Sequence, residues 1–187
     1  MIRLSLVALA AGALALAGCT KKDDVPQNTN TSADPAAGPS NDHVGQFLTN
    51  AIAGDLGEIK LGQMAGTKAS AQGVRDLAQA LVRDHGNSKD QAEQLARAHA
   101  AQIPTDPRSD ALSEIDKLNS LSGTDFDREF ASFMVKDHQR TINSFQAEAG
   151  SSDPQDVTSF AQQALPALKQ HLQMAESLAT GLNGKGS

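Results

Sequence analysis

The 187-residue chain is poor in several residue types that particular functions require. It has one cysteine, no tryptophan and no tyrosine, and aromatic residues make up 3% of the sequence. A single thiol cannot close a disulfide within the chain, so the fold must be held together by packing. The net charge is −6, and there is no basic patch with aromatic rings for stacking on bases. Nucleic acid is therefore not an expected partner.

Signature motifs of several enzyme classes are also missing from the sequence. It contains no glycine-rich phosphate loop, no Gly-x-Ser-x-Gly nucleophile elbow and no His-Glu-x-x-His metalloprotease motif. The Glu-x-x-His pair, which di-iron carboxylate bundles carry on two helices, does not occur either. The sequence therefore favours a non-enzymatic role, and it argues against a di-iron oxidase or an iron-storage protein.

The one cysteine stands at the end of an apolar N-terminal run. Residues 4–17 are apolar apart from Ser5, and these 14 residues are preceded by Arg3. The run is shorter than the roughly 20 residues that span a bilayer as a helix, which is typical of a signal peptide. It ends in Leu-Ala-Gly-Cys, which resembles the lipobox of bacterial lipoproteins, where the thiol is acylated before cleavage. We predict a signal peptide over residues 1–18 and lipidation of Cys19.

The next segment is polar and precedes the main domain. Residues 19–41 are rich in Asn, Thr, Ser, Asp, Pro, Gly and Ala, and such a segment is predicted to be a flexible tether. Residues 42–187 remain for one domain with a proper core. Thr20, not an aspartate, follows the predicted lipidated cysteine. The expected location is therefore the outer membrane, with the domain facing the periplasm, Cys19 as the membrane anchor and no protein partner specified.

Apolar residues beyond Asp42 recur at steps of three and four, which indicates amphipathic helices. Long helices are predicted over about residues 42–67, 70–101 and 125–150, and a fourth begins at Asp153 and Pro154 as its cap and first turn. A short helical piece around residues 112–121 lies in the long connection between the second and third. This pattern predicts an all-α fold, namely an up-down-down-up four-helix bundle of the ferritin-like type with a short extra helix in its crossover.

Four glycines make the first helix the least favourable of these predictions. Each glycine in a helix costs roughly 1 kcal/mol relative to alanine. The four are Gly54, Gly57, Gly62 and Gly66. Gly62 and Gly66 fall on the apolar side of the helix. On that side they are predicted to allow close contact with a neighbouring helix.

Two of the long helices share a repeat that ends in Asp-His. Residues 74–85 and 127–138 are identical at five of twelve positions, and both close with valine, a basic residue, aspartate and histidine. Helix packing explains the repeated apolar positions but does not explain the repeated Asp-His. At 100° per residue, His85, His138 and His171 each lie on the apolar stripe of their helix, and Glu58 lies on the core side of the first helix.

These four side chains are predicted to reach one level of the core in an up-down-down-up bundle. Buried histidines and carboxylates are costly unless they satisfy one another or a cation. Two alternatives stay equally open, a divalent metal site at Glu58, His85, His138 and His171 or a buried polar network, with partial exposure as a third. Zinc suits three nitrogens and one oxygen, and copper and other divalent transition metals also accept imidazoles. Binding is expected to weaken as the pH falls through about 6.5, the reference pKa of histidine.

The remaining acidic and histidine residues near these positions are given lesser roles. Asp84 and Asp137 lie about 100° from the histidines that follow them. They are predicted to orient a histidine of another helix or to face solvent, and not to bind the metal. His43, at the start of the first helix, and His99, near the end of the second, are predicted to be structural or exposed.

Short motifs along the chain resemble those of one family. They are Gly57-Glu58-Ile59 with Leu61-Gly62, the two Val-x-Asp-His motifs, Ile103-Pro104-Thr105, Leu121-Ser122-Gly123 with Asp125-Phe126-Asp127, and Leu165-Pro166-x-Leu168 with His171-Leu172. In order and spacing they are similar to the exported bacterial ferritin-like domain family of unknown function, often labelled as predicted outer-membrane proteins. The resemblance covers nearly all of residues 42–182. It implies a ferritin-like bundle outside the cytoplasm and no established activity.

Overall fold

The computed structural model describes the backbone of residues 39–184 and the side chains from His43 to Gly184. The predicted signal peptide, Cys19 and nearly all of the predicted tether lie outside the described residues. The first helix begins at Pro39, three residues before the predicted start of the domain. No helix among the described residues is long and apolar enough to cross a membrane.

The described part of the chain consists of α-helices joined by connections, with no β-strand. The helices are α1 (Pro39–Lys68), α2 (Gln72–Ala98), α3 (Ser109–Asn119), α4 (Gly123–Ala149) and α5 (Gln155–Asn183). The all-helical class and the order of the elements predicted from periodicity are confirmed. The second helix ends earlier than predicted, because Ala100 adopts a φ of 53° that breaks the helical path before Pro104.

The long helices pack in antiparallel pairs. Residue numbers rise along α1 as they fall along α2, since Asp55 contacts His85 while Gly62 lies against Ala78. The same relation joins α4 to α5, since Phe145 meets Phe160 while His138 meets His171. These two pairs, α1 with α2 and α4 with α5, form the most extensive helix contacts of the described residues.

Two groups of buried apolar side chains form the core, and polar residues separate them. The Phe47 cluster comprises Val44, Phe47, Leu48, Ala51, Ile52, Ala92, Ala96, Ile142, Phe145, Val157, Phe160, Ala161 and Leu168. The Leu81 cluster comprises Leu61, Ala65, Ala69, Val74, Leu77, Ala78, Leu81, Ala111, Leu118, Phe126, Phe130, Met134 and Ala175. Along α2, α4 and α5 the histidines at 85, 138 and 171 fall between members of the two clusters. The candidate site therefore lies at the boundary between two apolar regions.

The glycines of α1 mark places where other parts of the chain approach its backbone. A Cβ at Gly57 would lie 2.7 Å from the Cβ of Ala111 in α3. A Cβ at Gly62 would lie 3.0 Å from the carbonyl oxygen of Ala78 in α2, so the predicted close contact is confirmed there. The prediction is wrong for Gly66, where nothing lies within 4 Å of the added atom.

Candidate metal centre

Three imidazole rings meet in the core, one from each of α2, α4 and α5. His85, His138 and His171 are at most 4% exposed. Their ring centroids lie 5.3 to 5.6 Å apart in all three pairs. One nitrogen from each ring can be chosen so that all three lie within 4.8 Å of one another. The rings therefore present their nitrogens to a common point.

The other nitrogen of each ring points away from that point and contacts an acceptor. Nδ1 of His85 lies 2.7 Å from Oδ1 of Asp55, and Nε2 of His171 lies 2.9 Å from Oδ2 of Asp84. Nδ1 of His138 lies 3.1 Å from the carbonyl oxygen of Met134. Carboxylates and carbonyls can only accept, so in the neutral rings these outer nitrogens carry the protons. The inner nitrogens are left with lone pairs, as in histidines that bind metals.

The spacing of the inner nitrogens suits a bound ion. Nε2 of His138 and Nδ1 of His171 are 3.4 Å apart. Two imidazole nitrogens at about 2.0–2.1 Å from one tetrahedral ion would be about 3.3 Å apart. Nε2 of His85 is buried and has no hydrogen-bond partner in the described part of the chain. An unpaired buried nitrogen is costly, and a cation at the common point would remove that cost.

Burial favours the neutral form of two of these imidazoles, His138 and His171. It lowers the pKa of His138 to about 3, and positive charge on His85 or His171 would oppose its protonation further. Burial also lowers the pKa of His171, with a smaller opposing effect from the bond to Asp84. Because a metal ion binds the neutral ring, protons compete with it at a lower pH than the 6.5 expected from the sequence.

Glu58 does not join the three histidines. Its Oε1 lies 3.9 Å from Nδ1 of His138, and that nitrogen is the outer one, which faces Met134. Glu58 instead groups with Asp137 and His138. Burial and the neighbouring Asp137 raise the pKa of Glu58 well above its usual value. The raised pKa favours the neutral form of Glu58, and its place on the outer side of His138 means that the structure brings together three of the four ligands expected from the sequence.

The two Asp-His motifs place their aspartates differently. Successive helix residues point 100° apart, so a histidine facing the core leaves its neighbour facing an adjoining helix. In α2 this neighbour is Asp84, which reaches His171 of α5. In α4 it is Asp137, whose Oδ1 accepts from Nη2 of Arg108 at 2.5 Å and also from Arg140. Asp137 therefore orients no histidine and does not face solvent, unlike either role predicted for it.

Sequence reasoning missed Asp55. It is buried on α1 and holds His85 in position. It lies three residues before Glu58, which places both carboxylates on one face of the helix. An aspartate at helical spacing from a core glutamate was the available signal. The partner that it meets depends on how α1 and α2 pack.

A pocket of about 830 Å³ gives access to the centre. Asp55, Glu58, His85 and His171 line its polar part, and Phe47 with other members of the Phe47 cluster lines its apolar part. Water and small ions can therefore reach His85 and His171 from this side. A metal bound there would have a position open to the pocket, since three side chains leave the fourth tetrahedral position for water or another ligand.

The fold and the site define an all-helical domain with three histidines in its core. The chain belongs to the family described as domain of unknown function DUF4142, whose model matches residues 29–178. This confirms the expected membership of a family of unknown function. A solved structure of a DUF305 protein from Streptomyces coelicolor, provisionally named a secreted protein, is similar with a TM-score of 0.65 and 12% sequence identity. The match covers 77% of this chain and 96% of that one, and shows a common fold. A comparison with curated proteins finds no match.

Proposed function

We propose that this protein is a lipid-anchored module of the bacterial envelope that binds one divalent transition-metal ion through His85, His138 and His171. The observation that carries the proposal is the arrangement of the ring nitrogens. Each outer nitrogen contacts a group that can only accept a hydrogen bond. The inner nitrogens of His138 and His171 lie 3.4 Å apart, and the inner nitrogen of His85 has no hydrogen-bond partner among the described residues. Metal-binding histidines usually donate their second N–H to a carboxylate or carbonyl in this way.

The proposed architecture is a ferritin-like up-down-down-up four-helix bundle. The contacts of α5 with α2 support it, because His99 near one end of α2 pairs with Asp156 at the start of α5 while His85 meets His171. Antiparallel contacts of α1 with α2, α2 with α5 and α5 with α4 would make α1 and α5 parallel. The segment with α3 would then serve as the crossover between the parallel helices α2 and α4.

The proposed location is the periplasmic side of the outer membrane, with the lipid on Cys19 as the anchor. The lipobox-like residues 16–19 support this proposal. The provisional naming of the Streptomyces coelicolor protein as secreted agrees with export. Mass spectrometry of the mature protein should show an acylated N-terminal cysteine, and an unacylated mature N-terminus would contradict the anchor.

The ligand set restricts the metal. It has three imidazoles and no sulfur, which suits zinc, copper(II) or nickel better than the softer copper(I). Asp137 pairs with Arg108, and the pKa of the buried Glu58 is raised, so a carboxylate-rich di-iron centre is not favoured. The buried side chains therefore support a mononuclear site with nitrogen ligands.

The competing function is a structural or partner-binding lipoprotein whose core histidines form a polar network without metal. The 3.4 Å separation of the inner nitrogens of His138 and His171 favours it, since one ring in its other tautomer could donate across that gap. That change would take a proton from the ring's outer contact. The network thus gains a hydrogen bond between two inner nitrogens and loses one at an outer nitrogen. A cation would instead bind all three inner nitrogens and leave the outer hydrogen bonds in place.

Calorimetry on the full chain in detergent, after treatment with a chelator, separates the two functions. Zinc, copper(II) and nickel should be tested one at a time, with His138→Ala as the test variant and His99→Ala as the matched control, because His99 lies outside the core centre. We expect His138→Ala to lose one tightly bound ion per chain and His99→Ala to keep it. If the wild type binds none of these three metal ions at this site with a Kd below about 100 μM, the metal proposal fails and the polar network is the remaining function.

A further inference from the structure

A histidine outside the core centre, His43, lies beside two carboxyl groups. His43 of α1 meets Glu148 in the last turn of α4 and Asp153 in the connection before α5. Its Nδ1 lies 2.6 Å from Oδ2 of Asp153 and 3.6 Å from Oε2 of Glu148. One candidate ligand atom from each residue lies within 4.8 Å of the other two. His43 precedes Asp55, which contacts His85 of the core centre, by 12 residues, and this is about 18 Å along α1.

Glu148 is the unusual member of this group. Its side chain is 1% exposed, and neither carboxyl oxygen has a hydrogen-bond partner in the described region. Burial, and then the charge of Asp153, raise the pKa of Glu148. His43 is the one basic side chain within 4 Å of it among the described residues. A buried carboxyl group without a donor is costly, so this position calls for a further positive group or ion.

Asp153 contributes to the group in a way that the sequence did not reveal. It was predicted to cap the last helix, but the N-cap residue is Pro154, which makes no side-chain capping hydrogen bond. The carboxylate of Asp153 turns to His43 instead, while its backbone N–H donates to Oγ of Ser151 at 3.1 Å. The connection between α4 and α5 therefore directs a second acidic group toward Glu148. Two carboxylates so close together repel unless a proton or a cation lies between them.

We propose that His43, Glu148 and Asp153 form a second divalent-cation site, with one imidazole nitrogen and two carboxylate oxygens as ligands. The ion joins the first turns of α1 to the end of α4 and to the connection before α5. Because carboxylates suit manganese and imidazole suits zinc, this mixed set takes manganese(II) or zinc(II). The core centre, with nitrogen ligands alone, disfavours manganese. The side chain of His43 is 59% exposed, which gives the ion a route from solvent and leaves positions for water.

The pair of His99 and Asp156 provides an internal comparison. Nε2 of His99 lies 2.9 Å from Oδ2 of Asp156, so this pair has the same two residue types in direct contact. It has no third acidic residue close enough to complete a candidate ligand set among the described residues. An ordinary surface histidine–aspartate pair would behave alike at both places. A difference in cation binding therefore reports on Glu148.

Manganese(II) binding by the full chain in detergent, followed by electron paramagnetic resonance after chelator treatment, is the primary test. We expect one bound ion in the wild type, and a loss of at least tenfold in affinity in both Glu148→Gln and His43→Ala. His99→Ala should match the wild type. Glu148→Gln keeps the size of the side chain and removes a buried acidic group, so circular dichroism and the melting temperature without metal should show an intact fold.

Zinc calorimetry distinguishes this site from the core centre. The wild type should bind two zinc ions, Glu148→Gln should keep the ion at the core centre, and His138→Ala should keep the ion at His43. Unchanged manganese affinity in Glu148→Gln would overturn the second site, whatever His138→Ala shows. If zinc binding is lost in His138→Ala and unchanged in Glu148→Gln, the core centre is supported, and His43, Glu148 and Asp153 form a proton-sharing cluster without an ion. Each proposal can thus fail without the other.

Discussion

The two apolar clusters differ in how completely they are closed. The largest members of the Leu81 cluster, among them Leu81, Phe126 and Phe130, are 0% exposed. In the Phe47 cluster, Phe47, Phe145 and Leu168 keep 4 to 7% of their surface exposed and line the pocket. The difference follows from α3, which contributes Ala111 and Leu118 to the Leu81 cluster alone. One cluster is a closed core, and the other forms part of the wall of the pocket.

The histidines lie where these two regions meet, and this position serves both of their requirements. The closed side excludes water, so burial keeps His138 neutral. The open side lets a solute reach His85 and His171 through the pocket. A metal centre needs neutral ligands held rigidly and also a route for the ion. The contrast between the clusters would meet both needs of the proposed metal centre, and the following predictions test that contrast.

The largest expected effect is on stability, and it should differ between the clusters for the same substitution. Leu81→Ala should lower the free energy of unfolding by about 3 to 5 kcal/mol, because the surrounding side chains leave a closed cavity. Leu168→Ala should lower it by about 2 kcal/mol, because the side chain of Leu168 lines the pocket and its removal leaves no closed cavity. Urea denaturation of both variants measures the difference. Equal losses would mean that the Phe47 cluster is as tightly packed as the Leu81 cluster.

Acid should destabilise the metal-free protein through His138, one of the three histidines at the boundary of the clusters. The pKa of His138 is about 3 in the folded chain and about 6.5 when unfolded. Between these values the unfolded chain binds a proton that the folded chain does not, so stability falls as the pH drops below 6.5. Between pH 8 and pH 5 this histidine should cost about 2 kcal/mol of unfolding free energy.

The variant His138→Gln isolates this contribution. The raised pKa of Glu58 acts in the opposite direction, since the folded chain then binds the extra proton and gains stability as the pH falls. Other groups titrate in both proteins, so the comparison should use the slope of stability against pH. We expect a shallower loss in the variant between pH 6.5 and pH 5. Parallel slopes would show that His138 is not kept neutral by burial.

The smallest expected effect concerns two glycines of α1 near the closed cluster. Gly66→Ala should raise the free energy of unfolding by about 0.5 to 1 kcal/mol, because alanine favours the helix and the added methyl group meets nothing within 4 Å. Gly62→Ala should destabilise, because its methyl group would crowd Val82 and the backbone of Ala78. Thermal melting of both variants compares them. A stabilising Gly62→Ala would indicate that α1 and α2 pack more loosely than the structure shows.

The sequence predicted the helices more completely than it predicted the residues of the candidate site. The periodicity of apolar residues predicted the five helical segments, because a helix buries every third or fourth residue whatever its neighbours are. The same phase argument predicted that His85, His138 and His171 face inward. It could not separate Glu58 from them, since the phase of a residue does not tell which side of His138 a carboxylate on another helix approaches. Asp55 was missed for the same reason.

The sequence by itself determined the all-helical class, the order of the helices and the inward positions of three histidines, because all of these depend on spacing along one helix. The tertiary structure alone decided which acceptor holds each ring and that α3 closes one cluster and leaves the other open. It also decided that His43, Glu148 and Asp153 meet. These features depend on the approach of segments up to 110 residues apart, and a contact between distant segments leaves no periodic signal in either of them.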